Sequence, residues 1–226
     1  MKKVFFQIGT NNGNDQFRQL CFKYNPDLIV LVEANKIHLE SINKHYSSLN
    51  NVRVFNNAIY YENDKDVELY IPAKDGVYGK KGENGITYLH GNFSLLPLND
   101  WGEKKNMMKI IAKTITFDTI CQKLNITDIE YLQIDTEGFD SEIIKMMDLN
   151  KYNIKNIRYE KWPFSEDKFT RYNDDKKKEL GINGMRLVEE KLKKNGYTLK
   201  DIHDDDGFDI IATKKVRTRP SLLMRL

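Results

Sequence analysis

Apolar positions along the chain fall into short dense runs that alternate with helical stripes. Val4–Ile8 is an apolar run that stops at once on Gly9-Thr10-Asn11-Asn12-Gly13, and the next residues place Phe17, Leu20, Cys21 and Tyr24 at helical spacing. The unit reads strand, glycine turn, helix. Leu28–Val32 is a second β-rich run, Lys36–Leu49 carries Ile37, Ile42 and Leu49 as an amphipathic helix, and Val52–Phe55 is a third short strand. Strands that alternate with helices predict an α/β fold built on a parallel sheet with right-handed crossovers.

The pattern loosens after Val67–Ile71, which reads as an edge strand in a hairpin. Residues 72–105 hold glycines at 76, 79, 82, 85, 91 and 102 and no sustained period. A connection this long inside a compact domain is usually functional or disordered, and Tyr78, Tyr88, Phe93 and Trp101 argue against simple disorder. Order returns with a helix over Ile115–Leu124, a fourth strand over Tyr131–Ile134 that ends in Asp135-Thr136-Glu137-Gly138, and a helix over Asp140–Met147. Ile154–Tyr159 is a fifth strand closing on Glu160. Lys161–Gly181 is polar and aromatic and reads as a second surface loop. Met185–Asn195 is helical, and Tyr197–Ile202 with Phe208–Thr213 reads as an antiparallel hairpin. The reading is a single domain over residues 1–213, followed by a basic tail at 214–226 that reads as a flexible terminus.

Composition adds limits. Apolar residues make up 40% of the 226, enough for a sizeable core, and no apolar run approaches a membrane span. No secretory signal is evident. A net charge of +3 is a weak argument for a nucleic-acid partner, and none is expected. Cys21 and Cys121 lie on separate helices without a CxxC or Cys/His cluster, so they read as reduced core thiols. A cytoplasmic protein is the expectation.

The candidate chemistry sits at strand ends. The first strand ends in the glycine turn, the second in Glu33, and the fourth in Asp135 with Glu137-Gly138. In a doubly wound sheet these ends share one rim, where ligands bind. Glycines let a nucleoside cofactor approach the backbone, and a carboxylate after the second strand accepts both ribose hydroxyls. Glu33 lies twenty residues beyond Gly13. The turn is GxxxG; it lacks both the dinucleotide GxGxxG and the Lys-Ser/Thr of a P-loop. A wider turn without a pyrophosphate to hold suits S-adenosylmethionine. Each residue also has a plainer role: Glu33 as a helix N-terminal charge, Glu137 as a cap, Glu160 as a partner of Lys161 or Arg158.

QIGTNNGND, LVEAN, NNAI, the ITFDTI…YLQIDTEGFDSEII block and FDIIATKK resemble the FkbM-type family of S-adenosylmethionine-dependent methyltransferases. The resemblance covers most of residues 1–160 and the final hairpin, and IDTEGFD is its most specific element. It implies a class I methyltransferase (Rossmann-like) fold: a seven-stranded, mostly parallel sheet with a C-terminal antiparallel hairpin. It implies O-methyl transfer to a hydroxyl, most often of a sugar in a glycan or glycoconjugate, otherwise of a polyketide or other small molecule. By the same resemblance Gly9, Thr10, Asn11 and Gly13 line the methionine part of the cofactor, and Glu33 holds the ribose. Ala34-Asn35, Asn57 and Ala58 border the adenine, and Asp135 binds the cofactor too, near its amino group and the transferred methyl.

A hydroxyl is a poor nucleophile at neutral pH, so a base or a metal is expected. Asp135 is the first candidate base and His90 the second. Asp135, Glu137 and Glu160 also make an oxygen-rich candidate site for a divalent cation of the magnesium kind. Loops 72–105 and 161–181 match nothing in the family and are expected to shape the acceptor pocket. A nicotinamide-dependent oxidoreductase and a non-catalytic binding module are the competing functions.

Overall fold

The computed structural model describes residues 2–71, 79–81, 87–89, 94–98, 108–204 and 207–215. β1 (Val4–Ile8) is buried at every position, as a parallel strand covered on both faces must be. α1 (Gln16–Tyr24) starts where the Asp15 carboxylate accepts from Arg18 N at 2.9 Å, and ends on Asn25 in the left-handed region. β2 (Leu28–Val32) is again fully buried and pairs in parallel with β1, Val4 against Leu28 through Ile8 against Val32. The stripe expected as one helix over 36–49 is divided. Lys36–His38 forms a 3-10 turn capped by Asn35, and α2 (Leu39–His45) follows. β3 (Val52–Phe55) pairs in parallel with β2.

A small second sheet follows. β4 (Ala58–Ile59) and β5 (Asp66–Ile71) lie on either side of β8 (Met108–Ile115), parallel and antiparallel to it respectively. Between them in sequence, β6 (Gly79–Lys81) pairs with β7 (Thr87–Leu89). The hairpin partner of 67–71 is therefore 108–115, a strand the periodicity did not reveal. Its signal is hidden because Ile111 faces solvent and a single residue, Thr116, separates β8 from α3 (Phe117–Lys123). No glycine or proline marks that boundary.

β9 (Asp128–Ile134), α4 (Asp140–Met146) and β10 (Asn153–Glu160) complete the parallel part. Residues 161–181 are more ordered than a surface loop. They hold 3-10 turns at Trp162–Phe164 and Glu166–Phe169, then α5 (Asp174–Leu180), and Phe164, Phe169 and Leu180 are buried in the main core. The aromatic residues anchor this segment, and the charge run of α5 is its solvent face. α6 (Ile182–Lys194) begins a turn earlier than Met185. β11 (Tyr197–Asp204) and β12 (Gly207–Lys214) form the expected hairpin.

The main sheet has seven strands in the order β11-β12-β10-β9-β1-β2-β3, with β12 antiparallel to both neighbours. This is the seven-stranded, mostly parallel sheet with a C-terminal antiparallel hairpin. Phe5, Ile29 and Leu31 pack against Phe17, Cys21 and Ile42 on one face. Phe6, Val30, Leu132 and Ile157 pack against Phe117, Ile120 and Ile143 on the other. Both cysteines are free and buried. Among the described residues no helix is long and apolar enough to cross a membrane.

Candidate active site

The carboxyl ends of β2, β1, β9 and β10 lie side by side, and the turns that leave β2, β1 and β9 contribute to one cleft. Gly9 has φ +82, and a Cβ on it would stand 1.7 Å from the backbone oxygen of Asp135. Only glycine lets β1 leave the sheet against the end of β9. Asp135 N donates to Ile8 O at 2.9 Å and closes the two ends together. Thr10 turns inward, its N and Oγ1 both donating to Val32 O, at 3.2 and 3.3 Å. Asn11 takes φ +50, and its N donates to Glu33 Oε2 at 2.7 Å. Gly13, at φ +74, packs against Ile42 and Tyr46. Within the turn, Gly9 and Asn11 face the cleft, while Thr10 and Gly13 are not on its lining and hold the turn in shape.

Glu33 is 6% exposed and lines the cleft. Its carboxylate accepts from Asn11 N and, at 2.8 Å, from Asn35 N. Burial pushes its pKa up to about 7 against the lowering pull of those two backbone bonds. One bond per oxygen leaves further lone pairs for ligand hydroxyls. Asn56 Nδ2 donates to Glu33 O and Ala34 O at 2.8 and 3.2 Å, which fixes the chain between β2 and β3. Ala34, Asn57 and Ala58 line the same cleft as Gly9, Asn11, Glu33 and Asp135. These seven expected residues come together in an empty volume of about 810 Å³ open to solvent.

At the other end of the cleft Asp135 and Glu137 are on the lining, with Glu160 beside them. Asp135, Glu137 and Glu160 each offer an oxygen within 4.8 Å of the others. Glu137 and Gly138 have φ +52 and +103, so the turn after β9 folds Glu137 back over the strand end. A non-glycine residue in the left-handed region is uncommon and clusters at functional sites. Burial, then Glu137 and Asp140, hold the Asp135 carboxyl well above its usual range. Burial, then Asp135 and Glu137, do the same to Glu160, whose Oε1 accepts from Trp162 Nε1 at 2.9 Å. Asp140 is buried beneath them and accepts from Thr136 N and Oγ1 at 3.1 and 2.6 Å, and from Glu160 N at 3.4 Å. It ties β9, α4 and β10 together. Like charges this close oppose one another's ionisation, which adds to burial in raising the proton affinity of the cluster.

Sequence reasoning passed over His38, Phe139, Ile143 and Leu95, which also line the cleft. His38 had no chemical neighbour in sequence. The 3-10 turn capped by Asn35 returns it to the rim, and that cap was the available signal. His90, the second candidate base, lies outside the described residues.

Among solved structures the chain has distant likenesses. The O-methyltransferase from Bacillus cereus in complex with SAH is 12% identical, with a TM-score of 0.46 over 94% of this chain and 74% of that one. The O-methyltransferase TomG from Streptomyces achromogenes, in complex with SAM, is 10% identical, with a TM-score of 0.48 over 95% and 74%. Human methyltransferase 10 domain containing protein is 10% identical, with a TM-score of 0.47 over 95% and 72%. Likenesses this distant carry no argument about what the chain acts on. No curated protein matches the sequence. The family model described as the methyltransferase FkbM domain matches residues 7–199, which span the glycine turn, Glu33 and the IDTEGFD turn. The chain belongs to the FkbM methyltransferase family and is an S-adenosylmethionine-dependent methyltransferase.

Proposed function

We propose that the chain methylates a hydroxyl oxygen, that of a sugar in a glycan or glycoconjugate. The observation that carries this reading is one cleft shared by a bare glycine turn, a buried carboxylate after β2, and two carboxylates after β9, Asp135 and Glu137. The residues fit S-adenosylmethionine. Gly9 and Asn11 would border its methionine end, Glu33 would accept from the ribose hydroxyls, and Ala34, Asn57 and Ala58 would flank the adenine. Bound there, it would supply an electrophilic methyl carbon with a neutral thioether as leaving group.

The protein aligns the acceptor and removes its proton. Asp135 is the base: its carboxyl lies on the cleft lining, and burial with Glu137 and Asp140 beside it strengthens its affinity for a proton. The proton passes from the acceptor hydroxyl to the Asp135 carboxylate and then to solvent. An Asp135→Asn protein should bind S-adenosylhomocysteine as the wild type does and lose about 100- to 10,000-fold in kcat. Unchanged turnover would remove Asp135 from the reaction.

The mutual reach of Asp135, Glu137 and Glu160 favours a second reading of the same cluster. Three hard oxygen donors suit a magnesium-like ion, which would neutralise their repulsion and acidify the acceptor hydroxyl. On this reading magnesium raises the melting temperature of the wild type and not of Glu160→Gln. No shift in the wild type would leave the base as the operative account.

A further inference from the structure

Beside the cofactor cleft lies a second cavity, and the two share Leu95 and Phe139 as a common wall. Its far side is aromatic. The Tyr60 ring stacks on Phe139 at 5.9 Å and 18°, and Tyr61 stands edge-on to both Tyr60 and Phe139. Tyr61 is 49% exposed, an unusual amount for a ring fixed by two others. Tyr70 closes the opposite side.

Polar groups rim these rings in a fixed arrangement. The Tyr61 hydroxyl donates to Glu142 Oε2, and the Tyr70 hydroxyl donates to Glu68 Oε2 at 2.8 Å. Burial and the neighbouring carboxylate raise both phenol pKa values, so each keeps its proton. Each acid has its own lysine. Lys109 Nζ meets Glu68 at 3.0 and 2.9 Å, and Lys145 pairs with Glu142. Lys176, also on the wall, pairs with Glu179 at 3.2 Å.

The charges on the wall are therefore balanced pair by pair, which gives little net pull on a charged ligand. What remains is a flat aromatic face with carboxylate and ammonium groups at its edge. A neutral ring with C–H bonds on its face and hydroxyls around its rim matches that surface. A planar aromatic alcohol would match the rings and leave the polar rim unused. Resting on the methyltransferase reading above, we propose that this cavity is the acceptor subsite and that it seats a neutral sugar ring against Tyr61 and Tyr60, with its hydroxyls toward Glu142, Glu68 and Lys176. Segments 72–105 and 161–181 both reach it, through Leu95 and Leu96 and through Lys176 and Leu180. Phe139 follows directly on the Asp135–Gly138 turn and lines both cavities, so the wall they share adjoins the turn that carries Asp135 and Glu137.

The test is saturation-transfer-difference NMR on the full chain with a panel of neutral methyl glycosides, each in the presence of saturating S-adenosylhomocysteine. At least one glycoside should receive transfer on its ring C–H face. Tyr61→Ala should weaken that glycoside about fivefold to tenfold, the worth of an aromatic contact. Tyr61→Phe keeps the ring and should retain it. Calorimetry on the same proteins should show unchanged S-adenosylhomocysteine affinity, and exposure of Tyr61 makes the variants safe for folding. Transfer that is indifferent to Tyr61→Ala, or no transfer to any glycoside, overturns the subsite. Failure of the wild type to bind S-adenosylhomocysteine overturns the donor reading instead, so the two failures are distinct.

Discussion

Substituting Gly9 by alanine tests whether the first turn is built on the close approach of two backbones. The added Cβ would stand 1.7 Å from the oxygen and 2.7 Å from the carbon of the Asp135 carbonyl. Ordinary contact needs about 3.5 Å, so the ends of β1 and β9 must part by roughly 1.5 Å or more. That movement breaks the Asp135 N to Ile8 O bond, 2.9 Å long, and strands both of its groups. Leaving buried backbone groups unpaired costs about 1–3 kcal/mol each. The left-handed φ adds about 1–2 kcal/mol, and the stiffer unfolded chain returns about 0.4–1 kcal/mol. The expected loss is about 5 kcal/mol, a large part of the stability of an ordinary domain. Gly196→Ala is the control. Gly196 has nearly the same φ, +86, and nothing within 4 Å of the added atom. It should lose about 1 kcal/mol, the strain alone. Urea unfolding of both proteins, followed by circular dichroism, reads the difference directly. A Gly9→Ala protein within about 1 kcal/mol of Gly196→Ala would refute the close approach.

Glu33 gives a pH signature. Its carboxyl moves from an ordinary 4.5 to about 7 in the fold. Ribose hydroxyls bind the ionised form, so S-adenosylhomocysteine affinity should fall as pH drops through about 7, and calorimetry on Glu33→Gln should show no such step and binding about 10- to 100-fold weaker. Because the folded value is raised, the apo protein gains stability from Glu33 below pH 4.5 and loses it as pH rises to about 7; the loss is about 3 kcal/mol relative to Glu33→Gln. A pH-independent difference between the two melting curves would sink this account. Arg158 Nε meets Asp209 Oδ2 at 2.5 Å and Arg158 Nη1 meets Gln16 Oε1 at 3.0 Å, with the Arg158 and Asp209 side chains 8% and 15% exposed. Arg158→Met should cost about 3 kcal/mol by stranding Asp209, and adding Asp209→Leu should recover most of it; urea midpoints of the full double-mutant cycle decide, and a double variant no better than the single would contradict a stranded charge.

The proposed donor half of the site was legible because each of its parts is a local event at a strand end. Leu28–Val32 is an unbroken apolar run and Val4–Ile8 is interrupted only by Gln7, and such runs need two covered faces. Gly9 and Asn11 mark the end of β1 and Gly138 follows the end of β9, all residues that tolerate left-handed backbone. Parallel topology then brings those ends to one rim with no further information. What spacing could not say was which way each side chain of the turn points. Thr10 and Gly13 belong to the same motif as Gly9 and Asn11, yet Thr10 bonds inward to Val32 and Gly13 packs on α2.

The proposed acceptor subsite was not legible, and the reason is physical. Its wall joins Tyr61 to Glu142, eighty-one residues apart, and Tyr70 and Glu68 to Lys109 across β5 and β8. Neither pair has a period or a turn residue to announce it. β8 runs into α3 with only Thr116 between, so the strand that carries Lys109 merged with the helix behind it. Segment 161–181 read as loop because its anchors, Phe164 and Phe169, are isolated aromatics whose partners lie elsewhere in the chain. A donor pocket common to a fold can be written in short motifs, since the sheet itself assembles them. An acceptor pocket is assembled from pairings between insertions, and only coordinates show which residues those pairings bring face to face.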